Sequence, residues 1–105
     1  MSKIATLNDR FRRTFIGGRV VTTAGFAQLP PSTKAKALQA ARTFTAFTPD
    51  NDPYREHDFG TFEIDGERCM FKIDCYNKSM EAGSEDPENE DITTRVLTIM
   101  LASDY

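Results

Sequence analysis

His57 has the side chain best suited to proton transfer in this sequence, and it is followed directly by Asp58. A histidine oriented by a carboxylate can act as a general base. Neighbouring residues of a strand point to opposite faces of a sheet, so these two side chains are not expected to form a dyad. No serine or cysteine lies in a recognisable nucleophile motif. We therefore predict a structural histidine and a protein that is not an enzyme, with a small hydrolase using His57 and Asp58 as the weakest interpretation.

The acidic residues before His57 begin a pattern typical of a calcium-binding loop. Asp50, Asp52 and Glu56 alternate with other residues. An EF-hand needs glycine at the sixth position and glutamate at the twelfth, where this sequence has Arg55 and Thr61. The segment is therefore predicted to be a solvated turn and not a metal site.

The two cysteines, Cys69 and Cys75, lie in one predicted strand and point to the same face. At roughly 3.3 Å per residue they are about 20 Å apart, which is beyond the reach of a disulfide. Zinc-type spacing such as Cys-x2-Cys does not occur, so both are predicted to be buried free thiols. Residues 17–19, Gly-Gly-Arg, lack the Lys-Ser/Thr of a phosphate-binding loop. No cofactor is predicted.

Charge is distributed unevenly along the 105 residues, although the net charge is only −3. Residues 1–48 contain eight Lys and Arg against one acidic residue, whereas residues 49–105 contain five against fifteen. Such asymmetry between halves can mark a surface that binds nucleic acid or an acidic partner on one side. The alternative is that the two halves interleave in space and neutralise each other.

Two sets of charged residues are the candidates for binding a partner. The first is an acidic loop at residues 83–91, whose carboxylates can imitate the phosphates that occupy a basic groove on a partner, or can form a simple solvated loop. The second is a basic set near the N-terminus that would contact phosphates, although no helix-turn-helix, RNP-type or zinc-finger pattern accompanies it. The predicted partner-binding residues are Glu85, Asp86, Glu88, Glu90 and Asp91, and the alternative nucleic-acid-binding residues are Arg10, Arg12, Arg13 and Arg19.

A β-hairpin over residues 59–76 is the strongest structural signal. Asp65-Gly66 supplies the positive φ angles of a tight type I′ turn between two alternating strands. A third strand is predicted over residues 19–23, before a break at Ala24-Gly25. A fourth strand is predicted over residues 93–102 and is expected to be central because both of its faces are apolar; a helix is the alternative there.

Two helices are expected to cover the sheet. In the first, apolar residues recur at helical spacing after a capping serine, and Gly17-Gly18 ends the helix. Its apolar stripe consists of Ile4, Leu7, Phe11 and Phe15. The second begins near Pro31, because proline is tolerated in a first turn, and runs to about Thr43. Phe26 and Leu29 are expected to be core anchors in a turn between the strand and this helix.

These elements predict one α+β domain over residues 1–105, an antiparallel sheet of about four strands with two helices packed on one face. The sequence has 39% hydrophobic residues and no apolar run that approaches the roughly 20 residues of a membrane span. Its N-terminus does not read as a secretory signal. We expect a cytoplasmic protein without a membrane partner, either a monomer or a homodimer.

Several phrases of the sequence are similar to one protein family. They are LNDRFRRTF, GGRVVTTAG, RTFTAFTPDNDPYREHDFG and TTRVLTIMLASDY. They resemble the small bacterial family catalogued as domain of unknown function 3768, and the resemblance covers nearly the whole chain. It implies an alphaproteobacterial protein, often encoded among plasmid or integrated-element genes. It implies no activity, cofactor or catalytic residue.

The sequence therefore predicts a non-enzymatic, small soluble binding protein of mobile-element type. Its expected action is to inhibit a host or rival nucleic-acid-handling complex, such as a CRISPR or restriction defence complex, by protein–protein contact through its acidic surface. The alternative is a nucleic-acid-binding regulator that uses the basic N-terminal helix.

Overall fold

The computed structural model describes residues 2–105, which fold into three helices and one four-stranded sheet. Short 3₁₀ turns lie at Glu90–Ile92, directly before the last strand, and at Ala102–Asp104, directly after it. In chain order the elements are α1 (Lys3–Thr14), β1 (Gly18–Thr22), α2 (Ala24–Ala27), α3 (Pro31–Thr43), β2 (Phe59–Ile64), β3 (Glu67–Asn77) and β4 (Thr93–Leu101).

The sheet is mixed, with the strand order β1-β4-β3-β2. The predicted α+β class with about four strands is confirmed, and so is the central strand at the C-terminal end. The expectation of a purely antiparallel sheet is wrong, because β1 pairs parallel to β4, with Val20 beside Leu97. The pairings of β2 with β3 and of β3 with β4 are antiparallel.

The hairpin has the predicted two-residue turn. Ile64 pairs with Glu67, and the two residues between them, Asp65 and Gly66, have φ angles of 51° and 81°. Positive φ at both central positions is the geometry that matches the twist of the flanking strands. The local turn chemistry therefore sets the register of β2 against β3.

Helix α1 begins as predicted and ends earlier than predicted. The Ser2 hydroxyl accepts a hydrogen bond from the backbone N–H of Ala5 at 3.0 Å, which caps the helix. The left-handed residue at the other end is Phe15, with φ 60°, whose N–H donates to the carbonyl of Phe11. Gly18 instead starts β1, where an added Cβ would lie 2.8 Å from the Phe11 ring. That glycine permits close packing of helix on strand and does not terminate the helix.

The hydrophobic core lies between the sheet and the helices. Phe71 and Ile73 of β3 and Leu97 and Ile99 of β4 face it, and alternation along the strands places their neighbours on the other side. Helix α3 approaches closely through its small residues, of which Ala37 and Ala41 are fully buried. Phe26, also buried, belongs to the one-turn helix α2 and not to the turn that the sequence predicted.

Across residues 2–105, no helix has the length and apolar character needed to cross a membrane.

Candidate functional site

The acidic residues predicted to bind a partner lie on a surface segment between β3 and β4. We call residues 85–91 the acidic segment. The side chains of Glu85, Asp86, Glu88, Glu90 and Asp91 are all exposed. Their carboxylates therefore face solvent, where a partner can reach them.

Hydrogen bonds to buried residues hold the backbone of the acidic segment. Arg95, only 4% exposed, donates from Nη2 to the carbonyl of Pro87 at 2.6 Å and from Nε to Oδ1 of Asn8 at 2.8 Å. Thr93, also buried, donates from its hydroxyl to the carbonyl of Asp86 at 3.0 Å. The backbone of the segment is thus anchored to β4 and, through Arg95 and Asn8, to α1.

The acidic segment lies against part of the basic helix. Arg10 forms an ion pair with Glu90, and both side chains are more than half exposed. Lys3 and Arg10 share a surface groove with four acidic residues of the segment, Asp86, Glu88, Glu90 and Asp91. The basic N-terminal half and the acidic C-terminal half of the chain therefore meet here. Arg10 of α1 neutralises one end of the acidic segment. Exposed pairs of this kind contribute little to stability.

The basic residues of the alternative prediction do not form one surface. Arg12 is fully buried, so its inclusion among phosphate-contacting residues is wrong. Arg13 is exposed and lies 3.9 Å from Asp9. Arg19 pairs with Val96 while its neighbour Val20 packs on the core, which places Arg19 on the sheet face opposite the helices.

Arg12 is buried because it ties α1 to α3. Its Nη1 donates to the carbonyls of Ala41 and Arg42 at 2.8 and 3.2 Å, and its Nη2 donates to Oδ1 of Asp9 at 2.8 Å. Burial lowers the pKa of the Arg12 guanidinium, and the hydrogen bond to Asp9 opposes that effect. Its guanidinium carbon also lies 5.3 Å from the Phe71 ring centre, within the range of a cation–π contact.

His57 is partnered by a different carboxylate from the one beside it in the sequence. Its Nδ1 lies 2.9 and 3.0 Å from the two oxygens of Asp9, and its Nε2 lies 3.7 Å from Oδ2 of Asp52. The imidazole stacks on Phe47 with ring centres 4.0 Å apart. The sequence predicted that Asp58 would not pair with His57. It did not indicate that Asp9, 48 residues earlier, orients the ring.

Asp9 was not among the predicted site residues, and it is only 4% exposed. A signal for its burial is present in the helix. Ala5, Asn8, Asp9 and Arg12 recur at i, i+3, i+4 and i+7, the spacing of a second inward-facing stripe beside the apolar one. All four are buried.

A cavity of about 700 Å³ lies beside His57. It is bounded by Ser2 and by the loop of residues 47–57, which includes Phe47 and Tyr54. Arg55 and His57 in this loop both have φ of 55°, in the left-handed region that residues other than glycine seldom adopt. Asp52 holds the loop in this shape, because its Oδ1 accepts the backbone N–H groups of Glu56 and His57 at 2.9 and 3.2 Å.

Acidic groups crowd one another behind this loop. Burial, followed by repulsion from Asp58 and Asp52, raises the pKa of Glu56. Burial, followed by repulsion from Asp52 and Asp74, raises the pKa of Asp58. Residues 49–58 have a negative formal charge, with four acidic residues against one basic residue.

The other sequence predictions of site chemistry concern the cysteines and metals. Both cysteines are free thiols; Cys69 is buried, as predicted, whereas Cys75 is only partly so. Burial raises the pKa of both thiols. Within residues 2–105 no group of three or more His, Cys, Asp or Glu side chains is arranged to hold a metal ion.

Comparison with known proteins identifies the family and gives no function. Searches of curated proteins and of solved structures gave no match. The family described as "Protein of unknown function (DUF3768)" matches residues 22–104, which is most of the 105-residue sequence. The family predicted from the sequence phrases is thereby confirmed, and the chain belongs to the DUF3768 family.

Proposed function

We propose that this protein is a small, non-enzymatic cytoplasmic inhibitor that docks on a basic surface of a nucleic-acid-handling protein complex. We favour a defence complex of the CRISPR or restriction type as the target. We also propose that the protein is encoded by a mobile genetic element. The acidic segment is the proposed contact, with its carboxylates occupying positions that nucleic-acid phosphates would otherwise take.

The observation that carries this proposal is the anchored, exposed acidic segment. Five carboxylates face solvent on a backbone that buried Arg95 and Thr93 hold in place. A preordered surface loses less conformational entropy on binding than a mobile loop, so more of its interaction energy appears as affinity. Complementary charge also speeds association and disfavours acidic partners.

The test compares two triple variants of equal charge. Glu85→Gln, Asp86→Asn and Glu88→Gln neutralise the acidic segment and leave its Arg10–Glu90 pair intact. The control variant neutralises three exposed glutamates elsewhere, with Glu63, Glu67 and Glu81 changed to Gln. Tagged protein is used to capture partners from a bacterial lysate with and without nuclease treatment, and each captured nucleic-acid-binding protein is then assayed for nucleic-acid binding with and without the inhibitor.

We expect a nuclease-resistant partner whose nucleic-acid binding is inhibited by the parent protein and by the control variant, but not by the acidic-segment variant. Equal inhibition by both variants would contradict the proposed contact. Loss of every partner after nuclease treatment would instead favour the nucleic-acid-binding alternative. That alternative predicts that affinity for nucleic acid falls steeply with salt, and that Arg10, Arg13 and Arg19 carry the effect.

A further inference from the structure

The cavity beside His57 has walls suited to a long organic side chain. Phe47, Pro49, Pro53 and Tyr54 contribute rings to its lining. Tyr54 is 81% exposed, so its ring is available to a partner. Several lining residues, among them Pro53, Tyr54 and Arg55, are exposed, so the cavity is accessible from solvent.

A buried carboxylate lies in the same lining. The side chain of Asp52 is 4% exposed. Its Oδ1 is occupied by two backbone N–H groups, whereas Oδ2 has only a long contact to the His57 backbone at 3.3 Å and lies 3.7 Å from His57 Nε2. Carboxylate oxygens accept up to two hydrogen bonds each, so Oδ2 retains capacity for a further donor.

The segment that forms most of the cavity's lining is acidic, which favours a cation over an anion, and Asp52 is the acidic residue of the lining itself. Residues 49–58 contain four acidic residues and one basic residue, Arg55. The raised pKa values of Glu56 and Asp58 agree with this excess, because both arise partly from repulsion by Asp52. Arg55 also lines the cavity and opposes a cation there. Removing the charge of Arg55 should therefore strengthen the binding of a cation in the cavity.

We propose that this cavity receives an arginine or lysine side chain of the protein partner, with the cation paired to Asp52 and the aliphatic stem packed on Tyr54 and the proline rings. Aromatic and proline walls around a carboxylate accommodate both the charge and the stem of such a side chain. This inference rests on the proposed docking to a basic partner, and it adds a second contact beyond the acidic segment.

The test uses a small probe and does not depend on knowing the partner. Acetyl-Gly-Arg-Gly-amide is titrated into the full ¹⁵N-labelled chain, and the amide signals of Thr48, Tyr54 and His57 are followed by NMR. The control probes are the same peptide with glutamine in place of arginine, and inorganic phosphate. We expect saturable shifts with the arginine peptide and none of comparable size with either control probe.

Three variants then test the assigned contacts. Tyr54→Ala is expected to weaken binding of the arginine peptide about two- to fivefold, the worth of an exposed cation–π contact. Tyr105→Ala removes an equally exposed tyrosine and is expected to change nothing. Arg55→Gln is expected to strengthen binding of the arginine peptide by about twofold or more, since it removes a like charge from the cavity.

Equal shifts with the glutamine peptide, no shifts with the arginine peptide, or saturation by phosphate would each overturn the inference. The result is independent of the inhibition assay above. Arginine binding without any effect of the acidic segment on a partner would leave the cavity assignment standing and remove the proposed function. Inhibition through the acidic segment without arginine binding would support the proposed function and refute the cavity assignment.

Discussion

Replacing Asp9 by Asn tests whether the buried network, and not the acidic surface, holds α1 to the rest of the fold. The Asp9 carboxylate receives Arg12 Nη2 at 2.8 Å and faces His57 Nδ1 at 2.9 Å. Each hydrogen bond to a charged group contributes about 1.5–3 kcal/mol. Removing one partner of a buried ion pair costs about 3–5 kcal/mol, because the other charge stays buried without compensation.

We therefore expect Asp9→Asn to lower the free energy of unfolding by about 3–5 kcal/mol, a large part of the roughly 5–15 kcal/mol typical of a domain. In urea unfolding followed by circular dichroism, the midpoint would fall by roughly 2 M. Native-state hydrogen exchange would quicken at His57, because the loop of residues 47–57 loses one of its contacts with α1, while the hydrogen bond from Asn8 to the Glu56 carbonyl remains. The matched control is Asp50→Asn, an exposed carboxylate in the same loop, expected to change stability by less than about 0.5 kcal/mol.

A double variant separates charge compensation from packing. Arg12→Met with Asp9→Asn removes both charges, so neither charge is left buried without its partner. The double variant should therefore be less destabilised than the sum of the two single variants, by about 1 kcal/mol or more. An Asp9→Asn cost below about 1 kcal/mol, or strict additivity in the double variant, would refute the view that this network is a compensated buried ion pair.

Three further predictions follow from packing and pKa shifts. Gly60→Ala should destabilise by about 1–3 kcal/mol in urea unfolding, because its Cβ would lie 2.5 Å from the Phe71 ring; Gly83→Ala, whose Cβ would meet nothing nearer than 3.9 Å, should be nearly neutral. Since the pKa of Asp58 is raised on folding, its charged form opposes folding once pH exceeds its ordinary value of 3.8. Asp58→Asn should thus be more stable than the parent at pH 7, with the gain vanishing below about pH 3.8. The same dependence of the unfolding free energy on pH in the variant and the parent would contradict this. Finally, iodoacetamide should leave Cys69 unmodified in the native protein and modify it in urea, as mass spectrometry would report.

The hairpin and the C-terminal strand could be predicted because their signals are local. Asp65-Gly66 determines its turn through its own backbone conformation, and residues 93–101 combine β-branched content with apolar side chains on both faces. The capped start of α1 is equally local. Each of these features depends on residues within a few positions of one another.

The direction of β1 and the partner of His57 could not be predicted in this way. Whether β1 runs parallel to β4 depends on how the intervening chain crosses the sheet, which no short pattern specifies. Asp9 meets His57 across 48 residues, and Asn8 meets Arg95 across 87. Helical spacing could indicate that these polar residues face inward, but it could not indicate which distant group each one meets.

The position of β4 has a consequence for how the protein assembles during synthesis. This strand is the last in the chain, yet it lies between β1 and β3. A nascent chain that ends before Thr93 can form the β2–β3 hairpin, but β1 then has no strand beside it. Joining β1 to β4 closes a loop of more than 70 residues, and such long-range closure is entropically costly and slow. The N-terminal strand is therefore made early and joins the sheet only after β4 has been synthesised.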